Sequence, residues 1–337
     1  MDTRAIGAIA VAMLIATQSG STSAPNPSAN IGRDGRVARG ATVANPAIGF
    51  FGSNIDWPEG ITAGPDGNVW FTDFWTAEVG RVTPAGQITE FPVGASAQSI
   101  TSGPDGNLWF TESGANAIGR ITPTGSVTNF PIAGVDPRGI AAGPDGNLWF
   151  TELDDGYIGR ITTKGKITRF PVSANSSPWA IIAGPDGNMW FSESSAGELG
   201  RFNPRTLRLL SPVLLNSDDN PWALTIGPDH NVWFTGRSSG KIGTVANGKV
   251  TEFTIPGPPQ PYPDSIATGP DSKLWFTESL TSGIGRFDPT TKQFTDRIAL
   301  SSVNIPTDIT AGPDGNLWFT NASYQLPDDR IGVIRIH

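Results

Sequence analysis

The feature that most constrains this chain is a ten-residue phrase that keeps returning. GPDGNLWFTE runs from Gly103 to Glu112, recurs unchanged from Gly143 to Glu152, and recurs from Gly312 with Asn321 in place of the acid. Looser copies start at Gly64, Gly184, Gly227 and Gly269, so seven copies lie 39, 40, 41, 43, 42 and 43 residues apart. A period of about 40 built from short apolar segments points to propeller blades rather than to a helical array. Each unit reads as strand a (like GITAG), a PDGN turn, strand b (like LWFTE) and a variable loop. Strand c (like IGRIT), a second turn and strand d (like ITEFPV) follow. Four strands in each of seven units make an all-β, seven-bladed β-propeller. The 41 Gly and 29 Pro suit a chain of short strands and many turns.

The two ends of the repeat predict how the ring closes. The last unit runs out of chain after strand c, while AIGFFGS, Ala47 to Ser53, reads as a strand d with no blade before it. Pairing the two would complete the seventh blade and remove an open sheet edge. The propeller is therefore expected to span residues 47–337. Ahead of it, Arg4 and the apolar run Ala5–Ala16 precede a small polar stretch in which Thr22 and Ala24 suit a cleavage site. Residues 1–24 thus read as a secretory signal, with an uncleaved anchor as the alternative, and 25–46 as a flexible leader. The expected location is secreted or periplasmic, with no membrane span once the signal is removed.

Composition excludes several classes. There is no cysteine, hence no disulfide, thiolate metal site or cysteine nucleophile. The net charge is −8 and no Lys/Arg cluster exists, which argues against a nucleic-acid partner. A closed ring has no edge that demands a partner, so a monomer is expected.

Within the phrase, the glycine of PDGN serves a turn with φ > 0, and Trp-Phe sends one ring to each side of strand b. His230 and Ser272 occupy that glycine position in two units. The terminal acid reads Asp73, Glu112, Glu152, Glu193, Gly236, Glu278, Asn321. A strand c position reads Arg81, Arg120, Arg160, Arg201, Thr244, Arg286, Val333. The units that lose the acid also lose the arginine. An ion pair such as Glu152–Arg160 is the reading taken here, with a metal-binding ring of carboxylates as the alternative; no residue is assigned to a metal.

The recurrence of GPDGNLWFTE, IGRITPTG and ITEFPV together resembles the virginiamycin B lyases (streptogramin lyases), over about residues 47–337. The resemblance implies a seven-bladed propeller. For an active member it implies Mg²⁺-dependent opening of a macrocyclic lactone by elimination, with histidines in a Pro-His-(Gly/Ala)-Ile pattern in the last two blades. In this chain PDSI (Pro263–Ile266) and PTDI (Pro306–Ile309) match that pattern, with Asp264 and Thr307 at the histidine positions. The family's acids would fall at Ile305 and within Asn321–Ser323. The chain's two histidines are His230, in an a–b turn, and His337, the last residue.

In a propeller the d–a and b–c loops share one face. The tryptophans outside the repeat, Trp57, Trp75, Trp179 and Trp222, fall on these loops, as do Tyr157, Tyr262, Tyr324 and Phe74. The residue before strand a's small-apolar pair varies most: Glu59, Gln98, Arg138, Trp179, Trp222, Asp264, Thr307. These side chains should ring the channel mouth. Trp57, Trp75, Arg138, Tyr157, Trp179, Trp222, Tyr262, Asp264 and Tyr324 are the candidate ligand contacts. Glu59, Asp264 and Asp308 are candidate acid–base groups, although Asp308 could instead bond backbone N–H groups. The Pro-Trp loops could also merely cap the blades. Three readings stay open: a secreted binding propeller for a glycan, peptide or macrocyclic natural product; an enzyme, either a Mg²⁺-dependent carbon–oxygen lyase of the streptogramin lyase type or another lactone-acting propeller; and a purely structural role.

Overall fold

The computed structural model describes residues 47–52, 55–133, 136–173, 176–216, 218–257, 260–323 and 329–336. The expected signal, the leader, Tyr324 and His337 lie outside them. The described chain forms seven four-stranded antiparallel sheets. Blade one is typical, with strand a at Pro58–Ala63, b at Val69–Asp73, c at Glu78–Val82 and d at Ile88–Pro92. No helix among the described residues is long and apolar enough to cross a membrane.

Blade seven closes as expected. Its strands a (Asn304–Ala311), b (Leu317–Ser323) and c (Arg330–Ile334) are completed by Ile48–Phe51, which pairs antiparallel with strand c, Ile48 opposite Ile334. Phe51 stacks on Trp318 at 5.7 Å. Strand d phenylalanines do the same in other blades, as Phe91 does on Trp70.

The core lies between blades and is built from the Trp-Phe pair. Trp70 packs with Phe110 of the next blade, Trp109 with Phe150, Trp149 with Phe191 and Trp190 with Phe234. Trp233 packs with Phe276, Trp275 with Phe319, and Trp318 returns to Phe71 of the first blade. Burying a large ring on each face of strand b gives every interface the same apolar filling.

The turn locks this tryptophan in place. In all seven blades its indole N–H donates to the aspartate of the PDGN turn, as Trp109 does to Asp105 at 3.0 Å. The phrase's first glycine leaves room for that bond: a Cβ on Gly103 would stand 2.4 Å from Trp109 Cδ1. The turn's second glycine is left-handed, and His230 (φ 57°) and Ser272 (φ 58°) are held in the same region at a conformational cost.

The expected Glu–Arg pair does not form. Register places Arg160 opposite Trp149 and Glu152 opposite Tyr157, so the acid and arginine are three rungs apart. An odd separation also puts them on opposite faces of the sheet. Arg160 instead lies over Trp149 and 3.8 Å from Asp145 of the turn. Glu152, fully buried, takes a two-pronged ion pair from Arg169 of strand d, with Nη2 at 2.6 Å. Glu278 pairs likewise with Arg297 at 2.7 Å. Among the described residues Glu112 meets only the amide of Asn129, at 3.1 Å, and Asp73 accepts the Asp56 N–H at 2.9 Å. The repeated acid is scaffold, as expected, but its partners lie on strand d and in loops.

Candidate functional site at the propeller mouth

Strand b's threonine builds the frame of the mouth. Within its own blade this hydroxyl accepts a strand a N–H, as Thr72 does from Gly60 at 2.8 Å. It then donates across the interface to a carbonyl of the next blade. The sequence of bonds is Thr72 to Gln98, Thr111 to Arg138, Thr151 to Trp179 and Ser192 to Trp222. It continues with Thr235 to Asp264, Thr277 to Thr307 and Thr320 back to Glu59. The seven accepting carbonyls belong to the seven variable mouth residues. Their backbone is fixed by bonds that use no mouth side chain.

From Glu59 to Asp264 the side chains themselves form a chain of contacts. The Trp57 indole N–H and the Gln98 amide donate to the Glu59 carboxylate. Arg138 Nη1 donates to Gln98 Oε1 at 2.6 Å, and Arg138 Nη2 pairs with Asp136. The Arg138 guanidinium lies 5.0 Å from the Trp179 ring, and Trp179 stacks on Trp222 at 3.8 Å. Beyond Trp222 comes Arg237, 4.0 Å from that ring and 4.7 Å from the Tyr262 ring, with Nε 2.5 Å from Asp264 Oδ1. Thr307 reaches blade one by donating to Pro58 O at 2.9 Å. Cation–π contacts and the indole stack hold the half-buried rings against one another.

Loop geometry explains how these residues converge. The carbonyl before strand a accepts the N–H just after strand b, as in Phe74 N–H to Trp57 O and Ser279 N–H to Tyr262 O. This ties each d–a loop to its b–c loop. Trp57 (φ 66°), Ser177 (φ 51°), Asn220 (φ 44°) and Tyr262 (φ 56°) all adopt left-handed backbone at this position, so the bend belongs to the loop design of four blades.

The electrostatics are uneven. Burial pushes the Glu59 carboxyl up to about 7, against the opposing pull of Arg138 and the bonds from Gln98 and Trp57. Burial also raises Asp264, offset by Arg237 and the Ser279 hydroxyl. Asp308 is raised by burial too, but it clamps the ring as the sequence allowed. Its carboxylate accepts the Ile61 N–H of blade one at 2.9 Å and the Ser265 hydroxyl of blade six at 2.5 Å.

The candidates do not all meet. Glu59, Arg138, Trp179, Trp222, Tyr262 and Asp264 join one contact chain, with Trp57 attached. Trp75 packs edge-on to Phe74 at 4.9 Å, exposed, in blade one. Tyr157 begins strand c and lies beneath Arg169 at 4.4 Å, drawn into the Glu152 ion pair instead of the mouth. Arg237 was missed by sequence reading. The signal was available: the residue after the repeated acid position is Phe74, Ser113, Leu153, Ser194, Arg237, Ser279 and Ala322, only one of them charged. His230 sits exposed in an a–b turn, on the face away from the mouth.

Mg²⁺ does not fit these groups. Among the described residues no three His, Cys, Asp or Glu side chains gather as a cation site. Glu59 is held by N–H donors, Asp264 by a guanidinium and Asp308 by backbone and hydroxyl donors.

Known proteins place this geometry in context. No curated protein sequence matches the chain significantly. A solved streptogramin B lyase is 32% identical, with a TM-score of 0.79, over 87% of this chain and 98% of its own. A catalytically inactive histidine-to-alanine form of virginiamycin B lyase from Staphylococcus aureus, solved with quinupristin, is also 32% identical. It matches at a TM-score of 0.79 over 86% and 99% of the two chains. Kuenenia stuttgartiensis hydrazine synthase shares the fold alone, at 14% identity and a TM-score of 0.73 over 84% and 96%. The sequence pattern of the Virginiamycin B lyase family matches residues 32–209 and 207–337. With the repeat, the seven blades and this match in agreement, the chain belongs to the virginiamycin B lyase family.

Proposed function

We propose that the chain is a binding propeller that holds a small organic ligand at the mouth formed by its d–a and b–c loops. The observation that carries this reading is the Arg138–Trp179–Trp222–Arg237 stack. It is built from residues the blade repeat does not need, on a backbone the hydroxyl ring has already fixed. A half-buried set of aromatic and polar groups held in mutual contact suits a ligand with apolar faces and a few polar atoms. A family member solved with quinupristin supports the ligand's being a small molecule. Secretion fits the N-terminal sequence pattern and belongs to the same proposal.

A second reading, lactone opening by elimination, is favoured by one observation. Glu59 titrates at about 7, so at neutral pH it could take a proton from carbon or return one to a leaving oxygen. Against it stand Asp264 and Thr307 at the histidine positions and a mouth that does not suit Mg²⁺.

One experiment separates the two. The protein is incubated with a streptogramin B-type lactone, with and without Mg²⁺, and followed by equilibrium binding and mass spectrometry. The binding reading expects a saturable complex that Trp179→Ala/Trp222→Ala weakens at least tenfold, with the lactone intact. A linear product of unchanged mass would establish elimination. Binding indifferent to the double substitution would remove the proposed mouth.

A further inference from the structure

One crevice between blades departs from the repeat. Opposite the strand c glycine, strand d carries Glu90, Asn129, Arg169, Glu252 and Arg297 in blades one, two, three, five and six. In blades three and six that arginine reaches back to the buried acid of strand b. Blade seven replaces both members. Its strand d sets Phe50 opposite Gly332, and its strand b has Asn321 at the acid position. Phe50 meets Phe319 edge-on and joins the core between blades six and seven. Beside it lies a cavity of about 320 Å³. Small-molecule sites begin at about that size, roughly 300 Å³.

The walls of the cavity divide by chemistry. Ile48, Phe50 and Leu300 continue the core of the two blades, and Val303 extends the apolar side. The polar side holds Ser301, Asn304 and Arg330. Asn304 commits its carbonyl to the Asn321 amide at 3.0 Å, which leaves its own N–H₂ group as a donor. Arg330 is the one ionisable side chain among the described lining residues. A guanidinium has five N–H donors, enough to keep a partner within the protein and still serve an acceptor in the cavity. Ala299 and Ser301 are exposed, so the cavity opens to solvent.

We propose that this cavity is a second ligand site, for a small organic carboxylate with an apolar body. The donors call for acceptor atoms, the single guanidinium for one negative charge, and the opposite wall for hydrocarbon. A bare anion would leave that wall uncovered, and a hydrocarbon alone would forgo the charge-assisted bonds. The site lies against strand d, at the opposite edge of the sheet from the strand a residues of the mouth. It is therefore independent of the binding reading above.

The test is calorimetric titration of the full chain with phenylbutyrate, phenylbutanol and acetate. The expected result is saturable binding of phenylbutyrate, with the alcohol and acetate each about tenfold weaker or worse. Arg330→Gln should weaken phenylbutyrate by about tenfold and bring it level with the alcohol. Val303→Trp, which fills the cavity from its loop and leaves the guanidinium in place, should abolish binding while melting as the parent does. That variant decides the matter if Arg330→Gln misfolds. The proposal is overturned if phenylbutyrate does not bind, if the alcohol or acetate binds as tightly, or if either folded variant binds phenylbutyrate as the parent does.

Discussion

In the third blade, Glu152 has no exposed surface and relies on one guanidinium, that of Arg169, which is 29% exposed. The acid cannot easily be rehydrated, so it is costly without its partner. Arg169→Met is expected to destabilise the fold by about 2 kcal/mol, less than a fully buried pair because water reaches one side. Adding Glu152→Gln should restore much of that loss, whereas Glu152→Gln and Arg160→Met should be additive, as read by denaturant unfolding. The pattern in which acid and arginine vanish together was real but did not mean contact. Counting rungs along the hairpin would have separated them. What single-residue reading could not reach was the hydroxyl of WFT. Its recurrence as Thr or Ser in every unit was visible, but a repeating letter does not say which carbonyl its hydroxyl meets.

At the scale of an element, the closing strand matters most. Ile48–Phe51 supplies the fourth strand of blade seven, and its Phe50 meets Phe319 edge-on at 5.8 Å while Phe51 stacks on Trp318. Deleting residues 46–53 strips that blade of an edge and the ring of its only strand drawn from the other end of the chain. The expected outcome is a large fall in melting temperature by calorimetry; an unchanged melt would contradict closure as a source of stability. This element was legible because a strand without a blade and a blade without a strand were both on the page. The mouth was legible only as positions. Period and loop placement gave the ring order, but side chains such as Arg237 reach it from a neighbouring loop, and tertiary reach has no period.

For the whole molecule, buried acids should set the pH response. Burial pushes Asp73, Glu112 and Glu193 up to about 7 from ordinary values of 3.8 and 4.5. Between about 4 and 7 the folded chain then holds more protons than the unfolded one, so stability falls as pH rises through that window. The turn aspartates act oppositely. Although burial alone would raise Asp105 and Asp314, bonds from Trp and Asn hold them low, so their contribution is lost only in stronger acid. Melting temperature should thus peak near pH 4 and decline toward pH 7, and Glu112→Gln should flatten the decline; a melt that rises across this range would refute it.

The hydroxyl ring has a consequence for how such a molecule can change. Each mouth residue is a socket whose backbone is held by a neighbour's threonine or serine hydroxyl and not by its own occupant. Occupants can be exchanged one at a time without re-aiming the rest. A carboxylate, an amide, a guanidinium and two indoles already share one circle in this chain. A lineage that gives up one chemistry at its mouth can therefore acquire another while the blades beneath it stay as they were.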